Sequence, residues 1–233
     1  MSLQANLKSI PAFDRWAQTY DRGRMTRWLS RGQRQALAAL GLAPGDSLLD
    51  VGCGTGGATI EAARSQRAGR ACGVDLSPGM IQHAIHQARG LGNVEFRVAD
   101  AEELPYPAAS FDGALCAHSL HHYSDPVRAL REIRRVLKPG GRFVVLDSDR
   151  AACSWVWTWD RFLRLFEAGH VKYYTEAELL LLVAEAGFAR SVTVARDHGH
   201  LRDGKIGWAL AIIRATTSSS NRGSSTAAPR KTR

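Results

Sequence analysis

Residues 47–80 of this chain read SLLDVGCGTGGATIEAARSQRAGRACGVDLSPGM, and this stretch decides the fold. It begins with a short apolar run suited to a buried strand, continues through a glycine-dense turn and an amphipathic segment, and ends with a second apolar run that stops at Asp75. A strand, glycine turn, helix and second strand with a terminal acid are typical of the nucleotide-binding half of a doubly wound sheet. The GxGxxG spacing of Gly52, Gly54 and Gly57 is by itself also compatible with a dinucleotide.

The composition describes a globular chain of ordinary size. With 233 residues, of which 45% are hydrophobic, the chain is long enough for one domain with a full core. No apolar run approaches the roughly 20 residues that span a bilayer, and the first residues lack the pattern of a signal peptide. The four cysteines form no CxxC pair, which is typical of reduced thiols. We therefore expect a cytoplasmic protein without a membrane span.

The net charge of +9 is concentrated at the two ends of the chain. Residues 1–35 contain seven Lys and Arg but only two Asp, and residues 215–233 contain four Lys and Arg and no acid. Residues 36–214 contain 20 basic and 20 acidic residues and are therefore neutral. Because basic ends alone support only weak, salt-sensitive binding to polyanions, we expect no specific nucleic-acid partner.

Further apolar runs extend the opening unit into a larger sheet. The predicted strands are 47–51, 71–75, 94–98, 111–117, 142–146, 190–196 and 207–214, and the predicted helices after the first strand are 57–66, 77–89, 126–137 and 175–186. The alternation of the first five strands with helices predicts parallel pairing, and the last two strands suit an antiparallel pair. The predicted fold class is α/β, a doubly wound seven-stranded, mostly parallel sheet of Rossmann-like type with an antiparallel strand near its C-terminal edge.

Two further motifs give this chain a specific resemblance. Asp50 precedes the glycine turn to give DVGCGTG, and ADAEELPYPAASFDGALCAHSLHHYSDPVRALREIRRVLKPGGRF follows at residues 99–143. Together with the terminal antiparallel pair, these residues closely resemble the class I S-adenosylmethionine-dependent methyltransferases, specifically the small-molecule group that includes the ubiquinone/menaquinone-biosynthesis enzymes. The resemblance covers roughly residues 10–214. It implies S-adenosylmethionine as the cofactor and a small molecule as the methyl acceptor.

The resemblance also implies cofactor contacts at the ends of the predicted strands. Asp75 matches the acid that binds the ribose hydroxyls, and Asp100 and Ala101 match the pair beside the adenine edge. The full set implied by the resemblance is Tyr20, Asp50, Gly52, Gly54, Thr55, Asp75, Leu76, Met80, Asp100, Ala101 and Ala117.

Two histidines are the candidate catalytic residues. Methyl transfer from a sulfonium disperses charge, so alignment of the acceptor can supply much of the acceleration, and a general base is needed only when the acceptor loses a proton. His118 and His121 follow the fourth predicted strand at the carboxyl edge of the sheet, where ligands bind in such folds. No cysteine or acid stands at zinc-ligand spacing from them, so we expect no metal.

The predicted domain organisation has three parts. Residues 1–41 form an N-terminal helical cap, residues 42–214 form the cofactor-binding domain, and residues 215–233 have the composition of a disordered basic tail. Within the domain, the aromatic-rich residues 148–174 lie where the resembling enzymes place a substrate cover. The candidate acceptor contacts are Trp155, Trp159, His170 and Tyr173. This aromatic character favours a hydrophobic or ring-containing acceptor, with oxygen, carbon and nitrogen all open as the methylated atom.

Two alternatives to a small-molecule methyltransferase stay open from the sequence. The basic ends are compatible with an RNA methyltransferase, although the neutral body and the lack of an appended RNA-binding motif weigh against it. A cofactor-binding partner protein without transfer activity would carry the same cofactor residues. The oligomeric state does not follow from the sequence.

Overall fold

The computed structural model describes residues 10–17, 19–22, 24–65, 68–149, 172–200 and 206–218. The strands are β1 (Asp46–Val51), β2 (Ala68–Asp75), β3 (Val94–Val98), β4 (Phe111–Ala117), β5 (Leu137–Ser148), β6 (Arg190–His200) and β7 (Ile206–Thr216). The helices are α1 (Ile10–Ala17), α2 (Arg24–Leu40), α3 (Gly57–Arg64), α4 (Pro78–Gln87), α5 (Pro126–Val136) and α6 (Glu176–Glu185), with short 3₁₀ turns at Tyr20–Arg22 and Leu120–His122.

The described strands form one seven-stranded sheet in the order β3-β2-β1-β4-β5-β7-β6. The first five strands pair in parallel, and β7 lies antiparallel between β5 and β6. The predicted fold class is therefore confirmed. The strand order reverses between β1 and β4, and such a switch point opens a crevice at the carboxyl ends of the strands.

The centre of the sheet is buried on both faces because helices cover each side. Leu48 and Leu49 on β1, and Leu115 and Cys116 on β4, have no exposed surface. These neighbours point to opposite faces, so a continuous apolar run is what a strand of a covered parallel sheet requires. The glycine turn that follows β1 is therefore anchored at the rigid centre of the fold.

Local capping signals place the helix starts. The Ser77 hydroxyl accepts a hydrogen bond from the Met80 N–H at 3.1 Å, and the Asp125 carboxylate accepts one from the Arg128 N–H at 2.9 Å. Both capping residues are followed by proline at the first helical position, which cannot supply the N–H that a helix start leaves unpaired. Side-chain capping thus fixes the first turn of α4 and α5 at the edge where the strands end.

The structure extends several predicted boundaries. Strand β5 starts at Leu137 and includes the KPGG segment, which the sequence predicts only as the end of the preceding helix. Strand β7 continues to Thr216, and Ala215 is 1% exposed because it pairs with Phe143. The ordered sheet thus enters the first two residues of the predicted tail, while residues 219–233 lie outside the described part.

Within the described residues, two α-helices precede the first strand, and they lie on different parts of the domain. Helix α1 packs on α4, and α2 packs across β4, β5 and β7 as well as α3. Ala36 and Leu40 on α2 have no exposed surface, so burial of its apolar face fixes this helix on the sheet. The N-terminal helices therefore stand over the carboxyl ends of the central strands.

Candidate active site

A cavity opens at the carboxyl ends of β1, β2 and β4. The empty space in it, which includes solvent at its open mouth, is about 1070 Å³. Eleven of the predicted site residues line it: Tyr20, Gly52, Gly54, Thr55, Asp75, Leu76, Met80, Asp100, Ala101, Ala117 and His118.

The cavity has two chemically different walls. The strand-end wall consists of residues that follow β1, β2 and β3, and its principal members are Gly52, Gly54, Asp75, Leu76 and Asp100. The helical wall consists of residues from α1, α2 and the loop after β4, and its principal members are Ile10, Phe13, Leu29, His118 and His122. Carboxylates and backbone groups dominate the first wall, whereas apolar and aromatic side chains dominate the second.

Glycine at position 52 is required by space as well as by backbone conformation. Gly52 has φ 73°, and a Cβ there would lie 2.4 Å from both the Cβ and the Oγ of Ser119. Gly54 has φ 52°, but a Cβ there would meet no atom within 4 Å. The N–H groups of Gly52 and Cys53 both donate to the Val74 carbonyl, at 2.8 and 2.9 Å. The turn is thus pinned to β2 and exposes its backbone to the cavity.

Asp75 holds this turn and the start of α4 together. One carboxylate oxygen accepts the Gly54 N–H and the other accepts the Ser77 N–H, each at 2.9 Å. Burial raises the pKa of Asp75, although these hydrogen bonds act against the increase. Because a carboxylate has about four acceptor sites, both oxygens retain capacity for a ligand on the cavity side.

Asp50 acts behind the turn and does not line the cavity. Its carboxylate accepts a hydrogen bond from the Thr59 hydroxyl at 2.6 Å, and Asp50 is 2% exposed. Burial raises the pKa of Asp50 to about 6, and the negative charge of Asp75 adds to the increase while the Thr59 bonds oppose it. The resemblance implies that Asp50 is a cofactor contact, but its observed geometry joins β1 to α3 beneath the turn.

The donor set of the strand-end wall fits S-adenosylmethionine. Asp75 offers two acceptor oxygens to a vicinal diol, and Leu76 and Met80 supply an apolar surface for a base. Asp100 accepts the Glu102 N–H at 2.9 Å, so its carboxylate is fixed beside Ala101. The glycine turn allows a ligand to approach the backbone closely.

Two aspartates attach the N-terminal segment to the strand-end wall. One oxygen of Asp14 accepts the Ser77 hydroxyl and the Gly79 N–H, at 2.5 and 2.9 Å. Asp21 accepts the Thr55 hydroxyl at 3.0 Å and the Gln87 amide at 2.8 Å. These bonds hold Tyr20 at the cavity, where burial, followed by the charges of Asp21 and Asp75, raises its pKa to about 12. Tyr20 is therefore a neutral phenol at physiological pH.

A buried pair of a histidine and a carboxylate lies behind the helical wall. His121 Nδ1 is 2.7 Å from Asp147 Oδ1, and the His121 N–H donates to the other oxygen at 3.1 Å. Burial acts to raise the pKa of Asp147, but His121 and the Ser148 N–H outweigh it and lower that pKa below its usual value. His121 is 7% exposed and does not line the cavity. The structure therefore separates the two predicted catalytic histidines, because only His118 faces the cavity.

Ring contacts connect His121 to the side chains that line the cavity. The ring centroids of His121 and His122 are 4.0 Å apart, and the His122 ring meets Phe13 edge-on at 5.0 Å. Tyr173 contacts His121 on another side, at 4.8 Å between ring centroids. Tyr173 does not line the cavity, and the predicted acceptor contacts Trp155, Trp159 and His170 lie outside the described residues.

Sequence reasoning assigns no role to Asp147, Phe13 or Ser119. Asp147 is an acid near the carboxyl end of β5, the same signal that identifies Asp75, and could have been found by it. Ser119 donates its hydroxyl proton to the Val51 carbonyl at 3.1 Å and lies 3.0 Å from the Tyr123 hydroxyl. No local pattern predicts that these two side chains support the glycine turn across the sheet.

The described residues were compared with the requirements of a metal site and of a membrane span. Within the described ranges, no group of three or more His, Cys, Asp or Glu side chains is placed to hold a metal ion. No helix in the same ranges is long and apolar enough to cross a membrane.

Comparison with known proteins agrees with this geometry. Residues 49–145 match a family model described as a methyltransferase domain. The chain is 33% identical over 181 residues to the demethylmenaquinone methyltransferase of Symbiobacterium thermophilum, which covers 72% of this chain and 71% of that protein. It is 38% identical over 138 residues to the enzyme of the same name from Tropheryma whipplei strain Twist, covering 58% and 56% of the two chains.

A solved structure shows the same architecture. The Thermotoga maritima protein described as a S-adenosylmethionine-dependent methyltransferase, possible histamine N-methyltransferase, superposes with a TM-score of 0.68 at 26% identity, over 88% of this chain and 98% of that one. The family match, the relatives and the cavity geometry agree on one assignment. This chain belongs to the S-adenosylmethionine-dependent methyltransferases, and S-adenosylmethionine is its cofactor.

Proposed function

We propose that this methyltransferase acts on a small apolar acceptor that contains a ring, of the quinone or phenol type. The observation that carries the proposal is the contrast between the two walls of one cavity. The strand-end wall has the carboxylates and glycines of a nucleoside site, and the helical wall has the apolar and aromatic side chains of a ring site. The relatives named for demethylmenaquinone support the same acceptor class.

In this proposal, each residue of the strand-end wall has a specific role. Asp75 accepts the two ribose hydroxyls with the lone pairs that Gly54 and Ser77 leave available. Leu76 and Met80 would provide an apolar surface for the adenine, and Asp100 and Ala101 would meet its edge. Gly52, Gly54, Thr55 and Ala117 would hold the methionine part, and Tyr20 would cover the cofactor. Asp50 supports the turn from behind through Thr59.

The chain contributes alignment and exclusion of water to the reaction. When bound, S-adenosylmethionine supplies a sulfonium methyl group that leaves by in-line displacement. The apolar side chains of Phe13 and Leu29 hold a flat acceptor against that methyl group and displace solvent. Effective molarities from such alignment are worth roughly 7–11 kcal/mol in favourable cases, so methyl transfer to carbon or oxygen can proceed with few catalytic groups.

A proton acceptor is needed only where the acceptor is a hydroxyl or an acidic carbon. We assign this role to His122, the histidine of this group that lines the cavity. Asp147 binds His121 at Nδ1, and the His121 ring packs on the His122 ring and helps to position it. Tyr173 packs on His121, whereas Trp155, Trp159 and His170 stay predicted contacts of the acceptor.

Two further features bear on the surroundings and partners of the protein. The neutral charge of residues 36–214 argues against a nucleic-acid substrate, and the buried free thiols of Cys53, Cys72 and Cys116 suit a reducing compartment. On these grounds we propose a cytoplasmic enzyme whose partner is a small molecule.

Calorimetry and a transfer screen test the proposal. We expect S-adenosylmethionine and S-adenosylhomocysteine to bind and NAD not to bind, and a preference for NAD would contradict the cofactor assignment. Labelled methyl groups are then offered to quinols, phenols, amines, lipid precursors and RNA in parallel. Transfer to a quinol or phenol supports the acceptor class. Transfer to RNA that is lost when residues 1–35 are altered would support the RNA alternative, and cofactor binding without any transfer would support a non-catalytic role.

A further inference from the structure

His118 has an unusual backbone conformation at the mouth of β4. It follows Ala117 and has φ 58°, a left-handed conformation that residues other than glycine rarely adopt. Its N–H donates to the Leu146 carbonyl at 2.8 Å, which fixes the backbone in this position. Residues held in such conformations cluster at functional sites. The strain therefore marks His118 as a residue whose side-chain position matters.

The two ring nitrogens of His118 have different surroundings. The ring is hydrogen-bonded to the backbone of Leu29 on α2. The Nε2 atom is buried and has no hydrogen-bond partner among the described residues. Buried polar atoms in folded proteins are almost always paired. An unpaired nitrogen on a residue that lines a cavity therefore points to a ligand as its partner.

The bond to Leu29 also determines what Nε2 offers to that ligand. A backbone carbonyl accepts a proton, so the nitrogen that faces it, Nδ1, carries the ring N–H, and Nε2 is left with a lone pair. Burial, with a further contribution from His121, outweighs the opposing effect of Asp147 and lowers the pKa of His118 to about 4. The ring is thus neutral at physiological pH, and the cavity meets a hydrogen-bond acceptor.

This arrangement makes His118 poorly suited to general-base catalysis. A base works best when its pKa lies near the working pH, whereas the neutral ring of His118 resists protonation. The same neutral ring is well suited to accepting a hydrogen bond, because that interaction needs a lone pair and no transfer of the proton. The geometry and the electrostatics therefore favour recognition over proton removal.

The sheet order places His118 on the acceptor side of the cavity. Asp75 ends β2, and β4 is two strands away in the order β2-β1-β4, a distance of roughly 10 Å at the usual strand spacing. The neighbours of His118 are Leu29 and the Trp28 ring, whose centroid lies 6.5 Å from that of His118. These neighbours belong to the α2 side of the cavity, which favours a molecule on the helical wall as the partner of Nε2.

We propose that Nε2 of His118 accepts a hydrogen bond from a hydroxyl group on the methyl acceptor, and that His118 thereby selects hydroxyl-bearing rings. This inference rests on the proposed function, because it assigns the second molecule in the cavity to a ring compound. Loss of one neutral hydrogen bond changes affinity by about fivefold to tenfold, so a ring whose hydroxyl is replaced by a methyl ether binds more weakly by that factor.

Nitrogen-15 NMR of the histidine rings tests the tautomer in the full chain. We expect the His118 signals, assigned by their absence in a His118→Phe variant, to show a protonated Nδ1 and an unprotonated Nε2 at pH 7 with S-adenosylhomocysteine bound. A proton on Nε2, or a doubly protonated ring, would overturn the proposal. The protonation state is measured on the unaltered protein, and the variant serves only to assign the signals.

Binding of two matched probes tests the selectivity. With S-adenosylhomocysteine saturating, we expect 1-naphthol to bind the unaltered chain about fivefold to tenfold more tightly than 1-methoxynaphthalene. We expect His118→Phe to bind both probes within about twofold of each other and to retain its affinity for S-adenosylhomocysteine. The same exchange at the exposed His86 on α4 is the matched control, which should keep the preference.

The outcomes separate this inference from the proposed function. Equal binding of the two probes by the unaltered chain, binding of neither probe, or a hydroxyl preference retained by His118→Phe would overturn the role of His118. A selective loss of S-adenosylhomocysteine affinity in His118→Phe would assign Nε2 to the cofactor and overturn the acceptor assignment. A chain that does not bind S-adenosylhomocysteine at all would contradict the proposed function itself.

Discussion

The two walls of the cavity are built in different ways. The strand-end wall comes from three successive strand-to-helix turns, and its groups are backbone atoms and carboxylates held by neighbours close in sequence, as Asp75 is held by Ser77. The helical wall is assembled from segments far apart in the chain, as where Phe13 meets His122. A wall made of turns tolerates little change in backbone, whereas a wall made of side chains can be altered one residue at a time.

The walls also differ in charge. Asp14, Asp21, Asp75 and Asp100 surround the strand-end wall, whereas Asp147 supports the helical wall from behind its histidines. A sulfonium and an ammonium group are both positive, so acidic surroundings favour the cofactor electrostatically. Apolar surroundings favour a ring that carries little charge. The four predictions below test this division, from the largest expected effect to the smallest.

Removing the buried carboxylate behind the helical wall should cause the largest loss of stability. Asp147 has no exposed surface and accepts three hydrogen bonds from His121 and Ser148. A buried N–H group that loses its acceptor costs about 1–3 kcal/mol, and Asp147→Ala removes the acceptor of several such groups. We therefore expect the free energy of unfolding to fall by about 3–5 kcal/mol at pH 7. Urea titration followed by circular dichroism measures it.

The stability difference between the unaltered chain and this variant depends on pH, because the pKa of Asp147 is lowered in the folded, unaltered chain. The unfolded chain binds this proton near pH 3.9, so the stabilisation is complete above that pH and is lost as pH falls below it. Asp112 is the matched control, because it is partly exposed and pairs with Lys138. Partial burial acts to raise the pKa of Asp112, but Lys138 and Ser47 lower it to about 2. Asp112→Ala should cost about 1 kcal/mol or less, and equal losses in the two variants would contradict the prediction.

The Gly52→Ala substitution, which adds a methyl group to the glycine turn, should distort the strand-end wall. At Gly52 an added Cβ meets Ser119 at 2.4 Å and is strained at φ 73°. Left-handed strain of about 1–2 kcal/mol and overpacking of about 1–3 kcal/mol predict a loss of roughly 2–5 kcal/mol for Gly52→Ala, with loss of measurable cofactor binding. Gly54→Ala has the strain without the clash, so equal effects of the two variants in thermal unfolding would rule out the steric argument.

The Asp75 carboxylate should affect cofactor affinity more than folding. We expect Asp75→Ala to weaken the binding of S-adenosylhomocysteine by about 1–3 kcal/mol, because charged hydrogen bonds to the ribose are lost. Titration calorimetry gives the dissociation constant. Asp75→Asn, which keeps the size of the side chain, should lose less affinity. An unchanged constant in Asp75→Ala would remove this residue from the site.

The attachment of the N-terminal segment should have the smallest effect. Asp14→Ala removes the acceptor for the Ser77 hydroxyl and the Gly79 N–H, a loss similar to that of a helix cap at about 1 kcal/mol. We expect cofactor affinity to fall by about fivefold to tenfold while the unfolding midpoint shifts slightly. Asp14→Asn retains an acceptor oxygen and should behave nearly as the unaltered chain does.

The strand-end wall could be predicted because its signals are local. Asp75 and Asp100 each stand near the end of an apolar run, and the glycine turn follows the first such run directly. The seven strands could be predicted for the same reason. The position of Asp50 behind the turn could not be predicted, because the same place in the sequence suits either a ligand contact or a hydrogen bond to Thr59.

The helical wall could be predicted only in part. One loop of the sequence indicates His118 and His121 together, but they separate because the backbone of His118 is left-handed and His121 pairs with Asp147, 26 residues later in sequence. The contact of Asp14 with Ser77 spans 63 residues. Pairings over such distances depend on how helices pack on the sheet, and no periodicity in the sequence encodes them.

The attachment of the N-terminal segment has a consequence for the rate of turnover. Asp14 and Asp21 hold the segment that contains Tyr20 at the cavity through bonds to Ser77, Gly79 and Thr55. We therefore expect release of the spent cofactor to be faster when these bonds open. Such openings occur over microseconds to milliseconds and limit the turnover of many enzymes. We therefore expect Asp14→Ala to speed the release of S-adenosylhomocysteine, and a viscous solvent would slow turnover in the unaltered chain more than in this variant.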